Sequence, residues 1–127
     1  MAKTANAETV YIVGPTPDEC RRIMAALTGE PVVVRSYGGA AQFLAQIPAT
    51  ASGCVLAPTD LQGIGLRALI GEIKLRNLPL AVVAIGRDSD LAIAVELVRV
   101  GAFDFLERPF SDRRLRSVVR QAIGATG

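Results

Sequence analysis

Five short apolar runs alternate along the chain with five segments of helical periodicity, joined by short connections. Residues 8–13 (ETVYIV) are β-branched and aliphatic and end at Gly14-Pro15, which predicts a strand. Thr16-Pro17-Asp18-Glu19 then opens a helix: Thr16 is placed as N-cap, Pro17 at the first helical position, and Glu19 as the closing residue of a capping box. Ile23, Met24 and Leu27 carry its apolar spacing, and Gly29 stops it. Strands follow at 32–36, 53–56, 80–85 and 103–107. Between them, 40–46 is a short helix ended by Pro48, and Leu66, Leu69, Ile70 and Ile73 mark a third helix. A fourth, capped by Asp88 or Ser89, places Leu91, Ala94, Val95 and Val98 on one core-facing stripe and ends at Gly101. Ser111-Asp112 caps the last, which carries Leu115, Val118, Val119 and Ile123.

Strand and helix in strict alternation mean parallel strands with helices on both faces. The almost wholly apolar run at 80–85 suits a central strand covered on each side. The expected fold is therefore α/β, a flavodoxin-like doubly wound sheet in the order 2-1-3-4-5. Residues 8–124 form this unit, with 1–7 expected as a frayed tail and 125–127 as a tail or the start of a linker. Sites in such folds lie at the carboxyl ends of the strands, beside the first and third. That directs attention to Gly14-Pro15-Thr16, Pro58-Thr59-Asp60, Gly86-Arg87 and Arg108-Pro109.

Composition narrows the chemistry. With 127 residues, 50% hydrophobic and 20% charged, the chain can bury a full core. It has no histidine, which removes the commonest general base and metal ligand. Cys20 and Cys54 are far apart and form no CxxC pair, and Cys54 lies in an apolar run as a buried thiol would. A net charge of +2 is too small to indicate a nucleic-acid binder. The polar N-terminal residues resemble neither a signal peptide nor an anchor, and no apolar run is long enough for a transmembrane helix, so a cytoplasmic protein is expected.

Residues 90–96 followed by Val100-Gly101-Ala102-Phe103-Asp104-Phe105-Leu106-Glu107-Arg108-Pro109-Phe110 resemble the fourth helix, fifth strand and following turn of bacterial two-component receiver domains. Gly53-Cys54-Val55-Leu56 and the later Gly63-Ile64-Gly65-Leu66 resemble that family's third strand and the loop after it. The similarity runs from about Thr9 to Ile123. It implies an aspartyl-phosphate site: an acidic pair holding magnesium, a nucleophilic aspartate, a hydroxyl residue and a lysine. At the matching positions this chain has Gly14 and Pro15 for the acidic pair and Pro58 for the nucleophile; Gly86 falls on or beside the hydroxyl position, and Arg108 replaces the lysine. The expectation is a degenerate, pseudo-receiver site that needs no magnesium or other cofactor.

The resemblance further implies that Phe105 is a switch aromatic and that Asp104 pairs across a dimer with an arginine of the last helix, Arg116 or Arg120. The expected role is a phosphorylation-independent, non-enzymatic signalling module whose partner is a kinase, an output domain or a second copy. It would touch nucleic acid only through an attached output domain, and no membrane. Two other readings stay open. Asp60, two residues past the nucleophile position, is a displaced phosphoacceptor or a turn residue. The emptied site, with Thr16, Thr59, Arg87 and Arg108 around it, holds a small anion or nucleotide, although Pro15 and Pro17 have no N–H to offer one. Arg113, Arg114, Arg116 and Arg120 form either a basic patch or a solvated and interface-forming helix face.

Overall fold

A computed structural model describes residues 8–61, 63 and 65–126 of the chain. It contains β1 (Glu8–Val13), α1 (Pro17–Ala26), β2 (Val32–Tyr37), α2 (Ala40–Gln46), β3 (Gly53–Pro58), α3 (Leu66–Leu75), β4 (Leu80–Gly86), a 3₁₀ turn at Asp88–Asp90, α4 (Leu91–Arg99), β5 (Asp104–Glu107) and α5 (Asp112–Thr126). All strands are parallel, in the order β2-β1-β3-β4-β5, as the alternation predicts. The expected tail at 1–7, together with Ile64 and Gly127, lies outside the described residues. No helix among the described residues is long and apolar enough to cross a membrane.

Successive strand side chains point to opposite faces, so each buried strand feeds two core layers. Val10, Ile12, Cys54, Leu56, Val83 and Ile85 meet Ile23 of α1 and Leu115, Val118 and Val119 of α5. Tyr11, Val13, Val55, Val82 and Ala84 meet Phe43 of α2, Leu69, Ile70 and Ile73 of α3, and Leu97 of α4. Tyr11, Tyr37 and Phe43 close this second layer, with ring centroids 5.3–6.2 Å apart.

Several local expectations change. β3 runs two residues past Leu56, because Ala57 and Pro58 pair with Ala84 and Ile85 of β4. Helix α5 continues through Ala125 and Thr126, the residues set aside as a tail. Neither Asp88 nor Ser89 caps α4: the two lie in the 3₁₀ turn, and Asp90 accepts a hydrogen bond from the Arg87 N–H at 3.0 Å. The expected core stripe of α4 is mostly solvent-facing. Only Ala94 and Leu97 are buried, while Leu91, Val95 and Val98 are 62%, 53% and 47% exposed. A helix lying over the sheet margin buries one narrow row, and the neighbouring row is left uncovered. Glu96 meets Arg67 of α3 at 2.6 Å, so the uncovered row lies on the flank turned away from α3.

Candidate functional site

Parallel register brings the ends of β1, β3, β4 and β5 to one edge of the sheet. Three backbone bonds fix the loops there: Gly14 N–H to Tyr37 O at 3.0 Å, Thr59 N–H to Ile85 O at 2.9 Å, and Arg108 N–H to Gly86 O at 2.7 Å. They enclose a cleft of about 340 Å³ lined by Gly14, Pro15, Thr16, Glu19, Pro58, Asp60, Arg87 and Arg108. The sequence-derived candidates thus largely converge, with Thr59, Gly86 and Pro109 outside the lining.

Arg108 dominates the electrostatics. Its guanidinium donates two hydrogen bonds to the Glu19 carboxylate, at 2.7 and 2.8 Å. Both side chains are largely withdrawn from solvent, at 30% and 15% exposure, and two-point contact of this kind is the stronger class of ion pair. Those bonds hold the guanidinium more firmly protonated than usual; burial opposes them, and the charges of Glu19, Asp60 and Asp90 add to them. Glu19 therefore does not close the expected capping box: Thr16 caps α1 by accepting from the Glu19 N–H at 3.2 Å, and the Glu19 carboxylate crosses to Arg108. Arg87 lines the cleft from an exposed position, and Asp60 is exposed at the rim. The Arg108–Pro109 peptide bond is cis.

Magnesium requires oxygen ligands, generally including one or two protein carboxylates. Gly14 and Pro15 supply none, Pro58 supplies none, and Glu19 is engaged by Arg108, which leaves Asp60. Among the residues that line the cleft, Asp60 is then the one carboxylate left uncommitted. No group of three histidine, cysteine, aspartate or glutamate residues suited to a metal occurs among the described residues. The space beside Gly14 is also taken. Gly14 has φ +81°, and a Cβ there would lie 2.2 Å from Leu61 Cδ1. On the opposite side a Cβ on Gly86 would lie 2.9 Å from Thr59 Oγ1 and 2.7 Å from Asp90 Oδ2. The contacts of Leu61 and Asp90 escape sequence reasoning: Asp90 is read only as the start of the fourth-helix segment, and the two glycines facing these side chains are the signal available.

The switch candidates separate. Phe105 is half-buried and packs against the layer holding α3 and α4. Asp104 accepts a hydrogen bond from the Phe105 N–H at 2.7 Å, and its nearest arginine is Arg114, at 3.8 Å. Arg116 and Arg120, expected as partners of Asp104, are engaged elsewhere in their own chain. Arg116 donates to Ala26 O at 3.2 Å, and Arg120 makes two bonds to Glu30 at 2.8 and 3.0 Å. At 100° per residue, positions 116 and 120 share one side of α5, and 114 lies on the other.

Comparison with known proteins agrees with this architecture. The response regulator receiver domain model matches residues 10–120. The transcriptional regulatory protein FixJ of Bradyrhizobium diazoefficiens is 32% identical over 90 residues, 71% of this chain and 44% of that protein. The full-length FixJ structure from B. japonicum superposes with a TM-score of 0.86 at 26% identity, covering 94% of this chain and 59% of that one. The receiver domain of NtrX from Brucella abortus gives 0.82 at 32% identity, covering 91% and 98%. The chain thus matches 44% of its FixJ relative by sequence and covers 59% of the full-length FixJ structure, but nearly all of the isolated NtrX receiver domain. In fold, motif and extent, it belongs to the response regulator receiver domain family.

Proposed function

We propose that this receiver domain signals without being phosphorylated, through protein–protein contact on the face formed by α4, β5 and α5. The chemistry of the cleft carries this reading. Where phosphoryl transfer needs a carboxylate nucleophile and a metal, β3 ends in Pro58, the turn after β1 is Gly14-Pro15, and the Arg108 guanidinium is bound to Glu19. Magnesium and other cofactors have no part in it, and the domain is a binding surface, not an enzyme.

The contact face is supported by its composition. Leu91, Val95 and Val98 lie exposed along one row of α4, Phe103 just before β5 is 37% exposed, and exposed apolar residues gathered on one face suit an interface. The FixJ and NtrC relatives are named transcriptional or DNA-binding regulators, and this chain matches only a part of each. The natural partners are accordingly a second copy, an attached output domain or a kinase. Nucleic acid would be reached only through such an output domain, and the setting is cytoplasmic.

One experiment addresses both halves. The protein is incubated with acetyl phosphate and magnesium and weighed intact, and its self-association is followed by sedimentation. The expected outcome is no phosphoryl adduct, with association that is unchanged by the treatment and weakened by Val95→Asp. An adduct that disappears in Asp60→Asn would overturn the reading in favour of a displaced phosphoacceptor. Association indifferent to Val95→Asp would remove the proposed face.

A further inference from the structure

The loop after β3 inserts two side chains into two spaces left by glycine, one on each side of the cleft. Leu61 is buried, and its Cδ1 occupies the place a side chain at position 14 would need, 2.2 Å from an ideal Cβ. Thr59 occupies the place a side chain at position 86 would need, with Oγ1 and Cγ2 at 2.9 and 3.0 Å from an ideal Cβ. The two residues flank a tight turn in which the Leu61 N–H donates to Pro58 O at 3.2 Å. One end of this turn is therefore seated against the β1 terminus, and the other against the β4 terminus.

Thr59 does more than fill space. Its hydroxyl donates to Asp90 Oδ2 at 3.1 Å, and the same oxygen accepts the Arg87 N–H at 3.0 Å. Asp90 is the last residue of the 3₁₀ turn and immediately precedes Leu91, the first of the exposed apolar residues of α4. A threonine from the loop after β3 thus tethers the head of the helix that carries the apolar face, and the absence of a side chain at Gly86 makes room for it. We propose that Thr59 is a positioning residue, seated by Leu61, that holds the head of α4 in one placement whatever the cleft contains. Such a tether gives the domain a fixed α4 surface without a phosphoryl group. Its bearing on partners rests on the docking face proposed above, whereas the tether itself can be measured with no partner present.

The test is hydrogen exchange on the whole chain, read at the amides from Arg87 to Ala94 and compared with those of α5. Thr59→Val keeps the shape of the side chain and deletes the donor. Exchange at the head of α4 should then quicken about five- to tenfold, the effect of losing one ordinary hydrogen bond, with α5 unchanged. Thr59→Ser keeps the hydroxyl and should restore the slow rates, a rescue that a merely space-filling role would not produce. A second measurement uses stability. Gly86→Ala should lower the urea midpoint, and adding Thr59→Ala should recover part of that loss, so that the double variant falls short of the sum. Unchanged α4 exchange in Thr59→Val, an equal acceleration throughout the molecule, or strict additivity of the two substitutions would each overturn the proposal. Failure of the docking face shows separately, as self-association indifferent to Val95→Asp whatever the Thr59 variants do.

Discussion

Cys54 shows how completely side-chain chemistry follows placement. Cys54 lies on β3, between β1 and β4, and its thiol belongs to the layer covered by α1 and α5 with no solvent exposure; burial alone pushes its pKa up to about 12. A thiolate is the reactive form, so this residue is inert in the folded state. Cys20, on α1, is only partly covered. A thiol reagent at neutral pH should label Cys20 alone, and Cys54 should react only in step with unfolding. Rapid labelling of both in native buffer, counted by intact mass, would contradict the burial. The apolar run around Cys54 made this legible from sequence. Glu19 was not legible in the same way, because its spacing from Thr16 fits a capping box and the competing guanidinium of Arg108 is 89 positions away. A two-point ion pair outweighs the return bond to a cap, and only tertiary contact brings it within reach.

Among the elements, α4 and α5 show two ways in which helical periodicity resolves. Both carry apolar residues at helix spacing, but α5 lies across β3 and β4 and buries Leu115, Val118, Val119 and Ala122, whereas α4 buries only Ala94 and Leu97. Leu115→Ala should therefore cost about 3 kcal/mol, the usual penalty of a core cavity. Val98→Ala, on the exposed row, should stay within about 0.5 kcal/mol. Urea unfolding of the two variants checks the contrast, and a comparable loss in both would mean that the α4 row is core after all. Periodicity identifies the apolar row of a helix but not which neighbour covers it. In α4 that depends on a position near the sheet margin, where β5 is only four residues long.

For the whole molecule, arginines bind α5 and the turn before it to the first helix and its exit. Arg108 reaches Glu19, Arg116 reaches Ala26 O, and Arg120 reaches Glu30. Arg22 completes the set from α1, lying over the Phe110 ring at 4.7 Å and donating to its carbonyl. The bond from Arg120 holds the Glu30 carboxyl below its ordinary range, against a smaller upward push from burial. A depressed folded-state value contributes stability that is fully present above the unfolded value and is lost as pH falls through the folded one. The thermal midpoint should accordingly decline from about pH 5 to about pH 3, and Arg120→Ala should decline less steeply over that window. Parallel curves for the two proteins, followed by circular dichroism, would show that the Glu30 pair does not contribute.

The sequence by itself determined the architecture. Strand and helix runs, their caps and their short connections admit little besides a parallel sheet in the order 2-1-3-4-5, and that order brings Gly14, Pro58, Gly86 and Arg108 to one edge. The missing acidic residues were equally plain, since an absent carboxylate needs no coordinates to be noticed. What fills the spaces beside Gly14 and Gly86 was decided by tertiary structure alone. Leu61, Thr59 and Asp90 meet Gly14 and Gly86 across loops and strands, at separations where no local rule connects one residue to another. The same holds for the arginines of α5, where position around the helix, not residue type, puts Arg114 beside Asp104 and turns Arg116 and Arg120 toward α1 and its exit. Local pattern sets which elements form, and close packing between distant elements sets what each side chain touches.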